Sequence, residues 1–209
     1  LFSVSGSVSY YLRERGFEVH SNDIAPYSFF VNKTYLELTK EILKERFPDL
    51  DDYICFLNDL KQPQTEFFFS KYYSENNNGQ SRLFYTEENG LFVDAVLEHI
   101  WSEENALLRA IVLSSLLYKM SKHVNTCGVF KACYKQFGGK KADALNRILA
   151  KIKIEKPRLP SGPVGRAVQM DAVELLKGTG YYNAIYLDPP YNQHQYSANY
   201  HLLEQACKP

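Results

Sequence analysis

Long apolar runs are missing from this sequence. A membrane-spanning helix needs about 18–20 consecutive apolar residues, whereas the longest apolar stretch here, residues 110–117, is short and broken by Ser114 and Ser115. No basic-then-apolar leader pattern opens the chain. Cysteine is scarce too. The four present (Cys55, Cys127, Cys133 and Cys207) show neither C-x-x-C nor Cys/His ligand spacing. That excludes a disulfide framework and a zinc site of the usual kinds. No metal, no membrane and a reducing, cytoplasmic setting are the resulting expectations. Internal repeats and low-complexity segments are also absent.

An excess of one charge is lacking as well, with 24 Lys+Arg against 24 Asp+Glu, so the chain as a whole is not drawn to a polyanion. The balance conceals an asymmetry. Residues 41–110 hold 6 basic and 14 acidic side chains, and residues 111–166 hold 12 basic and 2 acidic ones. The second stretch has the charge to hold phosphates, with Lys131, Lys135, Lys140, Lys141, Arg147, Lys151 and Lys153 as its candidate contacts. A merely solvated helix face with a loop accounts for the charge equally well. Aromatics are plentiful, with 16 Tyr and 13 Phe. Core packing absorbs most of them, and some are left to stack on a flat ligand.

The chain opens with a Ser/Gly-rich turn, a short helical run and Gly16 as its stop. Residues 17–21 then alternate like a strand, and a helix is expected from Pro26 towards Arg46, ended before Pro48. That is the rhythm of a doubly wound α/β sheet. Between residues 37 and 160 the rhythm breaks. One or two long helices fill residues 92–124, and a basic amphipathic helical stretch is expected over residues 140–154. A Pro/Gly linker follows at residues 157–165. The α/β pattern then resumes with a strand at residues 167–170, a helix at 172–177, a buried strand at 182–187 and a last helix at 197–207.

The most specific chemical signal is Asp188-Pro189-Pro190-Tyr191, closing the apolar run of residues 182–187. An aromatic exocyclic amine is a poor nucleophile because its lone pair is delocalised into the ring. Acceptors placed around the NH2 favour a pyramidal nitrogen and stabilise the positive charge that develops as it attacks a methyl group. The Asp188 carboxylate and the Pro189 carbonyl supply such acceptors. Consecutive prolines fix φ and remove competing N–H donors, and Tyr191 offers a face on which a base stacks. A base inside a duplex has to be swung out of the stack to reach such a site. The bland alternative is a Pro-Pro turn with a surface tyrosine.

Three further signals stand at strand ends. Phe2, Ser3, Ser5 and Gly6 form a small-residue turn leading into a helix, where a ligand approaches backbone closely; an ordinary Ser/Gly turn looks the same. Asp23 stands where an acid accepts from ribose hydroxyls, and Asp171 where one accepts from an adenine amino group. Each also reads as a helix N-cap.

Taken in this order, the residues resemble adenine-specific (N6) DNA methyltransferases of the Dam-like alpha group. Residues 125–130, 191–196 and 199–204 resemble stretches of the FokI-type modification methylases in particular. The resemblance implies a Rossmann-like sheet that binds S-adenosyl-L-methionine through Phe2, Ser3, Ser5, Gly6, Asp23 and Asp171. It implies catalysis at Asp188, Pro189, Pro190 and Tyr191, and a mostly helical target-recognition insertion. On that reading residues 1–36 and 161–209 are a partial cofactor and catalytic domain, and residues 37–160 the insertion. Double-stranded DNA is the implied substrate and a cognate restriction endonuclease the implied companion.

The sequence departs from that pattern at Val4, where the first glycine of the cofactor turn is expected. It begins at Leu1, without the aspartate that usually precedes the Leu-Phe pair. The N-terminal cofactor-contacting helix and the later strands of the family are not seen, so the chain reads as a fragment. Two alternatives accompany this reading. One is an RNA amino-methyltransferase, against which the long separation of Gly6 from Asp188 argues. The other is a truncated DNA-binding relic without catalysis.

Overall fold

The computed structural model describes residues 1–75, 82–128, 130–142, 144–178, 180–190 and 196–209, with backbone only at 196 and 197. Its elements in chain order are α1 (Ser7–Glu14), β1 (His20–Asp23), α2 (Pro26–Glu37), α3 (Lys40–Arg46), α4 (Leu50–Asp59), α5 (Phe69–Tyr73), α6 (Glu87–Ser102), α7 (Ala106–Lys122), α8 (Leu145–Leu149), β2 (Arg166–Gln169), α9 (Ala172–Gly178) and α10 (Tyr196–Ala206). They fall into two compact units, Leu1–Leu50 with Lys156–Gln193 and Asp51–Glu155 with His194–Pro209. By contacts, then, α10 goes with the helical unit and α3 with the α/β unit.

The first unit is α/β. β1 and β2 pair in parallel, with His20 opposite Arg166 and Asp23 opposite Gln169. Parallel neighbours need a crossover, and here residues 51–155 of the second unit lie within it, while its remaining part follows β2. Two more backbone bonds extend the pattern sideways. Ser3 N donates to Asn22 O at 3.2 Å, and Leu1 N donates to Tyr186 O at 2.8 Å. Residues 1–3 therefore run beside β1 on one side and beside residue 186 on the other. The strand expected over residues 182–187 is not a buried one, since Ile185 and Leu187 are 55% and 57% exposed. An apolar run becomes a buried strand only when both its edges and faces are covered. Among the described residues, the bond from Leu1 is the one backbone tie that reaches it.

The helix expected from Pro26 to Arg46 is two helices. Leu38 and Thr39 adopt extended backbone, and Thr39 Oγ1 caps α3 by accepting from Ile42 N at 3.2 Å. The break has a buried cause. Arg13, fully buried on α1, donates to Tyr35 O (2.6 Å) and Leu38 O (2.7 Å) at the end of α2. Its remaining donors reach Pro163 O (2.9 Å) and Gly162 O (3.3 Å). One guanidinium thus grips the chain at residues 35–38 and again at residues 162–163. Burial lowers its pKa.

The expected linker is consequently a fitted strap. Gly165 N donates to Leu36 O at 2.9 Å, and Leu159 and Pro160 are buried. A Cβ at Gly165 would fall 2.0 Å from Val19 O, and one at Gly162 would fall 2.2 Å from Arg13 O. Glycine stands at both positions because backbone passes backbone there.

The second unit is helical. Residues 110–117, too short to span a membrane, are all buried along α7 and form the middle of a core that includes Val93, Val96, Ile100, Met120 and Ile148. Asn105 Oδ1 opens α7 by accepting from Leu107 N and Leu108 N, and Thr86 Oγ1 opens α6. The five-residue α5 is held from outside. Asp94 of α6 accepts from Phe69 N (2.7 Å), Ser70 N (2.9 Å) and Ser70 Oγ (2.6 Å). Burial raises the pKa of this carboxyl, and the three donors pull it part of the way back.

The basic stretch of residues 140–154 is helical only over Leu145–Leu149; residues 150–155 belong to no helix or named strand. Gly138, Gly139 and Ala142 all have positive φ, which breaks a helix before it starts. Beyond α8, lysine and isoleucine alternate with a period of two rather than 3.6. Among the described residues no helix is long and apolar enough to cross a membrane, and no group of three or more His, Cys, Asp or Glu side chains is placed to hold a metal ion.

Candidate functional site

The turn at residues 3–6 is built against the C-terminal tip of β1. Ser3 N and Ser3 Oγ both reach Asn22 O, and Gly6 N closes the turn onto Ser3 O at 2.8 Å. Gly6 then starts α1 with φ +73, and no side chain caps that helix. The first N–H groups of α1 are therefore left for something other than a cap. Nor could another residue replace Gly6 easily, because its Cβ would meet Asn32 Oδ1 at 3.1 Å in a left-handed backbone.

Asp23 locks this turn. Its Oδ2 accepts from Val4 N at 2.8 Å and its Oδ1 from Ala25 N at 3.0 Å, and the side chain is buried. Both readings of Asp23 meet in this geometry. It organises the start of α2, and it also presents a carboxylate to the turn, each oxygen keeping a lone pair. Asp171 caps α9, its Oδ1 accepting from Val173 N (2.9 Å) and Glu174 N (3.2 Å). It is positioned in turn by a residue the sequence did not single out. Asn22 Nδ2 donates across the strand tips to Met170 O at 3.1 Å, while Asn22 Oδ1 is buried without a partner among the described residues. Nothing in the sequence distinguishes Asn22 from a turn asparagine.

Asp188, Pro189 and Pro190 are exposed, and Tyr191 lies outside the described residues. Leu1 N donates to Tyr186 O at 2.8 Å, two residues before Asp188, and Val4 N donates to Asp23 Oδ2 at 2.8 Å. Residues 1–4 thus tie the segment that ends at Asp188 to the tip of β1. Phe2 and Ser5 belong to the same turn, Phe2 with φ +63 and Ser5 Oγ 2.9 Å from Ser7 Oγ.

Val4 has φ +43, a left-handed conformation that costs a β-branched residue about 1–2 kcal/mol. Val4→Gly is expected to stabilise the protein by about 0.5–1 kcal/mol once the entropy of the added glycine is deducted. That corresponds to a rise of roughly 1–4 °C in Tm for a chain of this size. A fall in Tm on calorimetry would mean that the valine side chain makes contacts worth more than the strain.

The basic candidates all lie in the helical unit. Lys131, Lys135, Lys140, Lys141, Arg147, Lys151 and Lys153 are exposed. Two are engaged. Arg147 Nη1 donates to Lys122 O at 2.7 Å, and Lys151 Nζ pairs with Glu88 Oε1 at 2.5 Å.

An α/β unit with a small-residue turn at a strand tip, bonded to one buried carboxylate there, is the class these features define. Residues 1–208 match the profile of the D12 class N6 adenine-specific DNA methyltransferases, and the chain belongs to that family. It is 32% identical to the type II methyltransferase M.NlaIII of Neisseria lactamica, over 99% of this chain and 59% of that protein. It is 29% identical to the type II methyltransferase M.CviAII of Paramecium bursaria Chlorella virus 1, over 100% of this chain and 60% of that protein. Identity to the type II methyltransferase M.FokI of Planomicrobium okeanokoites is 28%, over 98% of this chain and 31% of that protein. The chain thus spans about 60% of the length of the first two relatives. No solved structure matches it.

Proposed function

We propose that this chain carries the cofactor turn, the catalytic tetrapeptide and the target-recognition segment of a DNA adenine-N6 methyltransferase. The observation that carries the reading is the way residues 1–4 bridge two chain segments: Val4 N is bonded to the buried Asp23, and Leu1 N to Tyr186 O, two residues before Asp188. The lateral order of residue 186, residues 1–3, β1 and β2 supports a Rossmann-like sheet, whose ligands bind at the carboxyl ends of the strands. Residues 1–36 and 161–209 form its cofactor and catalytic part, and residues 37–160 recognise the target.

The residues fit S-adenosylmethionine on three counts: the uncapped start of α1, the absence of a Cβ at Gly6, and the buried Asp23 carboxylate facing the turn. Phe2, Ser3, Ser5, Gly6 and Asp23 would hold it, with Asp171 towards its adenine. When bound it supplies an electrophilic methyl group. Asp188 accepts one N–H of the target amine and the Pro189 carbonyl accepts the other, which draws the nitrogen lone pair out of ring conjugation. In this reading Asp188 also takes the proton the amine sheds. Pro190 fixes the carbonyl's direction, and Tyr191 is assigned the stacking role against a base turned out of the duplex. Lys131, Lys135, Lys140, Lys141, Arg147, Lys151 and Lys153 hold the phosphates.

The names of the relatives, type II methyltransferases, support a place in a restriction-modification system; a cognate endonuclease and a cytoplasmic setting complete the proposal. Incubation with methyl-labelled S-adenosylmethionine and unmethylated duplex DNA is expected to yield N6-methyladenine on digestion and mass spectrometry. Label in cytosine, or none in DNA, would overturn the proposal.

A further inference from the structure

Residues 150–155 leave α8 outside any helix or named strand, beginning with extended backbone at Ala150 (φ −67, ψ 143). Exposure alternates residue by residue. Lys151, Lys153 and Glu155 face outward, and Ile152 and Ile154 are buried. No neighbouring strand holds this segment among the described residues; side chains of three helices do so instead. Asn89 of α6 accepts from Ile152 N at 2.9 Å and donates to Ala150 O at 3.0 Å. Asn58 of α4 accepts from Ile154 N at 2.8 Å and donates to Ile154 O at 3.0 Å. Ser115 of α7 accepts from Glu155 N at 2.8 Å.

Each asparagine amide does for the segment what a paired peptide does in a sheet. The register is thereby fixed, because a slip of one residue would bury two ammonium groups and expose both isoleucines. Lys151 and Lys153 consequently hang from a backbone that is already held; their alternation with buried isoleucines is that of a strand, in which residues two apart are spaced by about 6.6 Å. That pitch is close to the contour separation of successive phosphates on one nucleic acid strand. Lys151 is meanwhile paired with Glu88, both side chains about two-thirds exposed. An exposed pair of this kind contributes about 0–1 kcal/mol, so exchanging the carboxylate for a phosphate costs little.

We propose that residues 150–155 are a preformed rail for the phosphates of one DNA strand. Lys151 and Lys153 make the contacts, and Glu88 occupies Lys151 in place of a phosphate while the protein is free. The inference rests on the DNA reading above and adds to it a register and an internal competitor.

Fluorescence anisotropy with a labelled duplex, followed over salt from about 50 to 200 mM, tests it. The Lys151→Gln/Lys153→Gln variant is expected to bind several-fold more weakly. Its log–log salt slope should be flatter by about 2, to the same extent on unrelated sequences. Glu88→Gln should tighten binding several-fold at the lower salt, and that gain should vanish when Lys151→Gln is already present. All three positions are exposed, so thermal unfolding should be unaltered. An unchanged salt slope in the double variant would overturn the rail alone. So would a Glu88→Gln gain that persists in full without Lys151, since simple charge repulsion would then explain it. A wild-type protein that binds no duplex at all would overturn the DNA reading and the rail with it.

Discussion

Asp188→Ala is expected to lower methyl transfer to DNA by roughly a hundred- to a thousandfold, the scale on which the loss of a single preorganised polar group acts. Affinity for S-adenosylmethionine should stay within about a factor of two, because the buried contacts of the turn come from Ser3, Gly6 and Asp23. Label transfer under single-turnover conditions and calorimetry with the cofactor read the two quantities separately. Asp188→Asn keeps an acceptor oxygen but gives up the charge and the basicity, so it should fall between wild type and alanine. Turnover of Asp188→Ala within tenfold of wild type would remove Asp188 from the chemistry. Equal loss of cofactor affinity would instead make it a structural member of the turn.

The second large effect concerns stability. Arg13→Met is expected to destabilise the protein by about 3–5 kcal/mol, because one buried and three part-buried carbonyls lose the fully buried guanidinium that satisfies them. That is a large part of the roughly 5–15 kcal/mol by which a domain is stable at all. Arg13→Lys should rescue little of it, since an ammonium has three donors and lacks the planar fork that reaches two chain segments at once. Urea unfolding followed by circular dichroism measures both variants. A loss under about 1 kcal/mol for Arg13→Met would show that water replaces the guanidinium.

Much of this architecture was legible in the residues. The helical period located α1, α6, α7, α9 and α10 to within a few positions, and Gly16, at φ +87, stops the first of them as expected. The parallel β1 and β2 lie near the two expected strands on either side of the helical insertion. Asp23 and Asp171 each turned out to cap or organise a helix start, the reading that sequence alone could not separate from ligand binding.

What could not be read had long-range causes. The break at Leu38 depends on a guanidinium 25 residues earlier. The course of residues 150–155 depends on amides more than 60 and 90 residues away. Local pattern carries no trace of such partners. Arg13 reads as one more charge on a helix that also bears Glu14, and Asn58 and Asn89 read as surface asparagines. The exposed course of residues 182–187 is a similar case, since an apolar run states a preference for burial but not what will cover it.

The grip of Arg13 on the chain at both Leu38 and Gly162 has an evolutionary corollary. Whatever polypeptide is spun out between those points starts and finishes at a knot already tied, so its length adds little further ring-closure entropy to the part that holds the turn. Such a segment is a natural graft. The target recognition proposed for it is open to lengthening, trimming or wholesale exchange while Asp23 and Asp171 at the strand tips stay where they are.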